Sequence, residues 1–136
     1  MRYRKSIQTR FRDTDMLGHV NNAVYLSYIE IARLEFIKEQ LPHLDWSKQA
    51  FILARVEIDF RLPALLNDVL FAEMWVSRLG AKSFDFSYQI FKEHPDAPVL
   101  LASATTVMVT FDYATQKSIP LLPEWRELLE KYQEEA

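Results

Sequence analysis

Residues 22–41 read NAVYLSYIEIARLEFIKEQL, the longest stretch of the chain with the look of one uninterrupted helix. It holds no Gly or Pro until Pro42. Asn21 or Asn22 suits the cap, because a short polar side chain there accepts a backbone N–H that the first turn leaves unpaired. The first two-thirds are apolar almost all round: Val24, Tyr25, Leu26, Tyr28, Ile29, Ile31, Ala32, Leu34, Phe36 and Ile37. A surface helix carries a single apolar stripe, so this one is predicted to be buried on most sides, with a sheet wrapped around it. Glu30 and Arg33 interrupt the run three residues apart and predict a buried structural pair. Removing one partner of such a pair costs about 3–5 kcal/mol.

Outward from the helix, the chain supplies that sheet. Residues 3–11 alternate loosely, with Tyr3, Ile7 and Phe11 on one face, and predict a first strand. Residues 55–62, RVEIDFRL, alternate strictly, with Val56, Ile58, Phe60 and Leu62 facing one way. Pro63 ends that strand, and Asn67-Asp68 predicts a turn before a strand at about 69–79. Gly80 lies in the short connection Leu79–Lys82, a hairpin signal. Residues 83–91 alternate again through Phe84, Phe86, Tyr88 and Ile90, residues 92–98 form a longer turn, and residues 99–111 a long apolar strand. After Pro120 and Pro123, the spacing of Trp125, Leu128, Leu129 and Tyr132 predicts a short amphipathic C-terminal helix. No repeat, linker or low-complexity segment divides residues 1–136, which are read as one domain. A strand, a buried helix and then four strands joined mostly by tight turns predict an α+β fold, an antiparallel sheet with the helix on one face. One sheet and one helix leave edges and an outer surface in need of cover, so oligomerisation is expected.

Composition narrows the chemistry. The chain has 136 residues, a formal charge of −3, 49% hydrophobic and 26% charged residues, as expected of one globular domain. Its two glycines, Gly18 and Gly80, exclude a dinucleotide fingerprint, a P-loop and a G-x-S-x-G elbow. The absence of cysteine excludes disulfides, a thiolate nucleophile and Cys-ligated metal. His19, His43 and His94 are too scattered for a zinc helix, so neither a metal nor a redox cofactor is expected. The start, MRYRKSIQTRFRDTD, has no apolar signal region and no run is long enough to span a membrane. A soluble cytoplasmic protein with neither nucleic acid nor membrane as partner is the expectation. Arg2, Arg4, Lys5, Arg10 and Arg12 crowd the start. They read as a solvated face or, more sharply, as a basic strand that helps hold an anionic ligand.

Residues 10–25, RFRDTDMLGHVNNAVY, concentrate two Asp, one His, two Asn and a Gly immediately before the buried helix. These are turn and cap residues, and Gly18 is placed to supply a positive φ. The free N–H groups of a helix start also carry roughly half a positive charge and can hold a developing oxyanion. A carboxylate within reach would be the nucleophile or general base. That pairing suits hydrolysis of an activated acyl compound, and a thioester in particular, because a thiolate leaves without strong protonation.

The run DTDMLGHVNNAVY, followed by IEIARLEF, resembles the hotdog-fold acyl-CoA thioesterases of the 4-hydroxybenzoyl-CoA thioesterase type. The likeness is close over residues 10–36 and the later strand order agrees to about residue 111. It implies a hotdog fold, a small-molecule acyl-CoA substrate and a homodimer sharing the active site, with dimers pairing further into tetramers. It implies that Asp15 is the catalytic carboxylate and that the backbone N–H of Asn22 polarises the thioester carbonyl. Some relatives carry His at that position; here it is Asn, and no catalytic role passes to His19. Gly18, His19, Asn21 and Tyr25 are the candidate substrate-binding residues, with Tyr25 reading first as core and His19 equally as loop packing. Asp13 reads as structural, hydrogen-bonding the loop. Two further function classes stand beside this one: a non-catalytic acyl-CoA-binding module, and a dehydratase, which wants a His with its carboxylate. Acyl carrier protein is the alternative thiol carrier.

Overall fold

The computed structural model describes residues 1–134. Its elements are β1 (Tyr3–Ile7), a 3₁₀ turn (Phe11–Asp13), α1 (Val24–Gln40), β2 (Gln49–Phe60), β3 (Leu70–Leu79), β4 (Ser83–Lys92), β5 (Val99–Asp112), β6 (Lys117–Ser118) and α2 (Pro123–Lys131). The main strands lie in the order β1-β3-β4-β5-β2, all antiparallel, with β6 beside β5. The apolar faces of β3, β4 and β5 turn to α1, which packs across the sheet with Tyr25, Tyr28, Ile29, Ala32, Phe36 and Ile37 buried. This is the predicted α+β arrangement. No helix among the described residues is long and apolar enough to cross a membrane.

Phe36 ties the layers together. Its ring meets Tyr3 of β1 at 5.3 Å, Phe86 of β4 at 5.6 Å and Tyr132 beyond α2 at 4.9 Å, each edge to face. Pairs of that geometry add about 0.5–1.5 kcal/mol each beyond the area they bury. Trp125, Leu128, Leu129 and Tyr132 are buried as their spacing predicts. At the β3–β4 hairpin the Gly80 N–H donates to the Ser83 carbonyl at 2.8 Å. A Cβ at Gly80 would come within 2.9 Å of that same oxygen, which is the reason for glycine there.

Several expectations are corrected. Strand β1 ends at Ile7, and Phe11 sits 80% exposed in the 3₁₀ turn rather than on the face of Tyr3 and Ile7. Strand β2 begins at Gln49, six residues before the predicted start, and ends before Leu62. Its register against β5 shifts between Leu53 and Arg55, and this bulge breaks the alternation of side chains so that one period no longer covers the strand. Helix α1 is buried on one side and not on most, since Ile31 and Leu34 stay over 40% exposed. Arg33 is buried but Glu30 is exposed and lies 4.0 Å away, so they are not a buried pair. The Arg33 guanidinium donates instead to the Tyr88 hydroxyl at 3.3 Å, which meets Thr106 Oγ1 at 2.7 Å inside the core.

Candidate active site

The segment between the 3₁₀ turn and α1 folds back as a tight loop. Thr14 and Val20 pair antiparallel, the Asp15 N–H donates to the His19 carbonyl at 2.8 Å, and the Gly18 N–H donates to the Asp15 carbonyl at 3.0 Å. Gly18 turns the chain with φ +79°, the left-handed conformation that the sequence predicts for it. At the tip, the Asp15 carboxylate is exposed. Its Oδ1 accepts the N–H groups of Leu17 at 2.9 Å and His19 at 3.3 Å. Among the described residues, its Oδ2 has no hydrogen-bond partner.

Asp13 clamps the base of this loop. Its buried carboxylate accepts the Arg10 N–H at 3.0 Å, the Tyr28 hydroxyl at 2.8 Å and the Arg10 guanidinium at 3.3 Å. Its backbone carbonyl accepts the Asn21 N–H at 2.8 Å. Burial alone would push the Asp13 carboxyl up, but the bonds from Arg10 and Tyr28 outweigh it and hold it below its usual value. Burial, with Asp13 as acceptor, pushes the Tyr28 hydroxyl up. On the other flank the Val20 N–H donates to the Ala64 carbonyl at 2.8 Å and His19 bridges Leu65. The loop is thus tied at once to α1 and to the segment after β2.

At the start of the helix the two asparagines divide their work. Asn21 closes the turn that leads into it: its Oδ1 accepts the Ala23 N–H at 3.1 Å and its carbonyl accepts the Val24 N–H at 2.9 Å. Asn22 accepts the Tyr25 N–H on its carbonyl at 3.3 Å. Neither its own N–H nor its side chain has a partner among the described residues. The expected asparagine cap is corrected: Ala23 holds the cap position of α1, no side chain caps it, and Asn21 instead closes the turn just before it.

A cavity of about 290 Å³ opens here, walled by His19, Asn22, Tyr25, Phe60, Arg61 and Leu62. Of the sequence candidates, His19, Asn22 and Tyr25 share this wall, while Asp15, Gly18 and Asn21 shape the loop beside it. Tyr25 is buried, edge-on to Phe60 at 5.3 Å and to Tyr28 at 6.0 Å, so it is core and wall together. The sequence reading missed Tyr28, Phe60, Arg61 and Leu62 as site residues. One signal was available for Tyr28: a buried Tyr in place of Phe asks for a partner for its hydroxyl. In the basic start, Arg2 pairs with Glu134 and Glu73, Arg4 with Glu93, and Lys5 approaches Glu35 and Glu39, which fits the solvated-face reading for these three. Among the described residues no three His, Cys, Asp or Glu side chains are grouped to hold a metal ion.

Residues 9–129 match the model of the thioesterase-like superfamily. The long-chain acyl-CoA thioesterase FadM of Escherichia coli is 34% identical over 128 residues, which are 92% of this chain and 95% of FadM. A thioesterase of Thermus thermophilus, crystallised with coenzyme A and zinc, is 32% identical with a TM-score of 0.82, covering 95% of this chain and 92% of that one. A predicted thioesterase from Bacillus stearothermophilus superposes with a TM-score of 0.90 over 100% of this chain and 99% of its own, at 22% identity. That likeness, together with the family match, shows the fold to be the hotdog arrangement.

Proposed function

The chain belongs to the thioesterase-like superfamily and is a thioester hydrolase; on that premise we propose that it cleaves an acyl-CoA to a free carboxylic acid and CoA, with Asp15 as nucleophile or general base and the Asn22 backbone N–H polarising the carbonyl. One observation carries the reading. Among the described residues, the loop clamped by Asp13 presents an unpartnered carboxylate oxygen on Asp15 and ends at an unpartnered N–H on Asn22. Coenzyme A as carrier is supported by the name of FadM and by the coenzyme A held in the Thermus relative.

As general base, the free oxygen of Asp15 takes a proton from water while the water oxygen bonds to the thioester carbon. The carbonyl electrons move to its oxygen, which the Asn22 N–H and the positive helix start hold. Collapse breaks the C–S bond, the thiolate leaves, and the proton on Asp15 passes to its sulfur. As nucleophile, the carboxylate bonds directly to the thioester carbon and expels the thiolate, leaving a mixed anhydride that water then cleaves. Gly18 permits the loop, Asn21 closes the turn before the helix, and His19 and Tyr25 shape the cavity that takes the acyl-bearing end.

The active unit in this reading is a homodimer that shares its sites, with further pairing to a tetramer. Strand β2 stands at the sheet edge with Ile52, Leu53 and Phe60 exposed, and Met16 and Leu17 lie bare beside Asp15. A second copy covers exposed apolar surface of this kind. The experiment that tests the function follows thiol release from short, long and aromatic acyl-CoAs with the native chain and with Asp15→Asn. Release that depends on Asp15 is expected. Equal release from both proteins removes Asp15 from the mechanism, and no release from any substrate favours a module that binds acyl-CoA without cleaving it.

A further inference from the structure

The chain has nine arginines, and every one except Arg12 and Arg61 donates with its guanidinium to a carboxylate, hydroxyl or carbonyl within the described residues. Of the two, Arg61 belongs to the candidate site. Arg12 is in the turn that leads into the Asp15 loop, and Arg61 walls the cavity with His19, Asn22 and Tyr25. That cavity has no carboxylate in its wall and lies at the positive start of α1. The backbone of Arg61 is fixed, its N–H donating to the Leu101 carbonyl at 2.8 Å, while its side chain is exposed. An exposed guanidinium on a fixed backbone, beside an N–H donor and with no counter-ion among the described residues, matches an anion that arrives with the ligand.

We propose that Arg61 binds an anionic group of the substrate outside the thioester, and so selects the substrates this site accepts. The proposal rests on the thioesterase reading for the identity of the substrate. The anion has two chemical sources, a phosphate of the CoA moiety or a carboxylate on the acyl chain. Both present oxygens that the planar guanidinium can grip in a fork, which a lysine cannot reproduce.

The test compares the native chain with Arg61→Gln and Arg61→Lys in two kinds of measurement. Turnover is read with an acyl-CoA, with the same acyl group on pantetheine, which has no phosphate, and with an acyl-CoA ending in a carboxylate. Binding is read by calorimetry with free CoA and with a non-hydrolysable CoA thioether ending in a carboxylate. For the phosphate source, Arg61→Gln raises KM for every acyl-CoA and Kd for free CoA about tenfold. It then leaves kcat within twofold and acyl-pantetheine unaffected, and Arg61→Lys recovers part of the loss. For the carboxylate source, the tenfold loss is confined to the two carboxylate-bearing ligands. Values within twofold of native for all five ligands overturn the proposal. Because the binding measurements need no turnover, failure of the hydrolytic reading would not hide the role of Arg61.

Discussion

The Tyr28 hydroxyl, on the second turn of α1, donates a 2.8 Å hydrogen bond to the buried carboxylate of Asp13, two residues before the proposed catalytic Asp15. Through this bond the helix that follows the Asn22 N–H holds the loop that offers the carboxylate. Tyr28→Phe removes one hydrogen bond to a charged group, which costs about 1.5–3 kcal/mol. Thermal unfolding should register that loss, and kcat should fall more than KM changes, because the free oxygen and the free N–H lose their fixed separation.

Asp13 also predicts a pH dependence of stability. Its carboxyl is held below its usual value in the folded chain. A depressed folded pKa contributes stability that is fully present above the ordinary carboxylate value of about 4 and is lost as pH falls from there through the folded value. Melting temperatures taken from pH 7 down to pH 3 should therefore drop at the acid end. In Asp13→Asn the curve should start lower and fall less steeply. Parallel curves for the two proteins would show that Asp13 contributes nothing to acid sensitivity.

Asp15→Asn is a clean probe of the chemistry, because an amide oxygen can still accept the Leu17 and His19 N–H groups that Oδ1 accepts now. The loop should keep its shape and the melting temperature should stay within a degree or two. Loss of a positioned base lowers rate by about 10²–10⁴. A single turnover of the native chain in ¹⁸O-labelled water then tests the nucleophilic route: label entering the Asp15 carboxyl marks it as nucleophile, with water opening the anhydride at the Asp15 carbon, whereas label in the product acid alone is common to the base route and to an anhydride opened at the acyl carbon.

Most of the fold was legible because its signals are local. The unbroken run to Pro42 marks α1, observed over Val24–Gln40, and strict alternation marks β4 and the far end of β2. The first half of β2 was not legible, because the bulge between Leu53 and Arg55 changes which face each residue meets. Strand β6, two residues long, is too short to leave a period. At the site, Asp15, Gly18 and Asn22 stand in one motif and were legible together. Tyr28 and Arg61 were not, since one reads as core and the other as strand. Only the folded chain brings Tyr28 to Asp13 and Arg61 to the wall beside Asn22.

Gly18 offers a test of backbone geometry apart from packing. A Cβ there meets nothing within 4 Å, yet φ is +79°, where an L side chain clashes with its own backbone. Gly18→Ala should cost about 1–2 kcal/mol from that conformation alone. Gly18→Asn should cost less, because Asn tolerates the left-handed region. The order Gly, Asn, Ala in melting temperature is the expected result, and thiol release should follow it, since the same turn places Asp15. Equal melting temperatures for Ala and Asn would mean that the loop relaxes freely and does not hold the carboxylate.

The edge of the sheet predicts the assembly. Among the described residues, strand β2 has β5 on one side and no strand on the other, and Ile52 and Leu53 are exposed on it. An unpaired strand of 12 residues joins readily to a second copy of itself, continuing the sheet across two chains. Sedimentation at micromolar concentration should find the native chain as a dimer or tetramer. The double substitution Ile52→Lys, Leu53→Lys places like charges across the two-fold contact and should shift the chain toward monomer. If the site is shared between copies, thiol release should fall in step with the dimer fraction across a dilution series and recover at high concentration. A native chain that sediments as a monomer at every concentration, with full activity, would show that each chain holds a complete site.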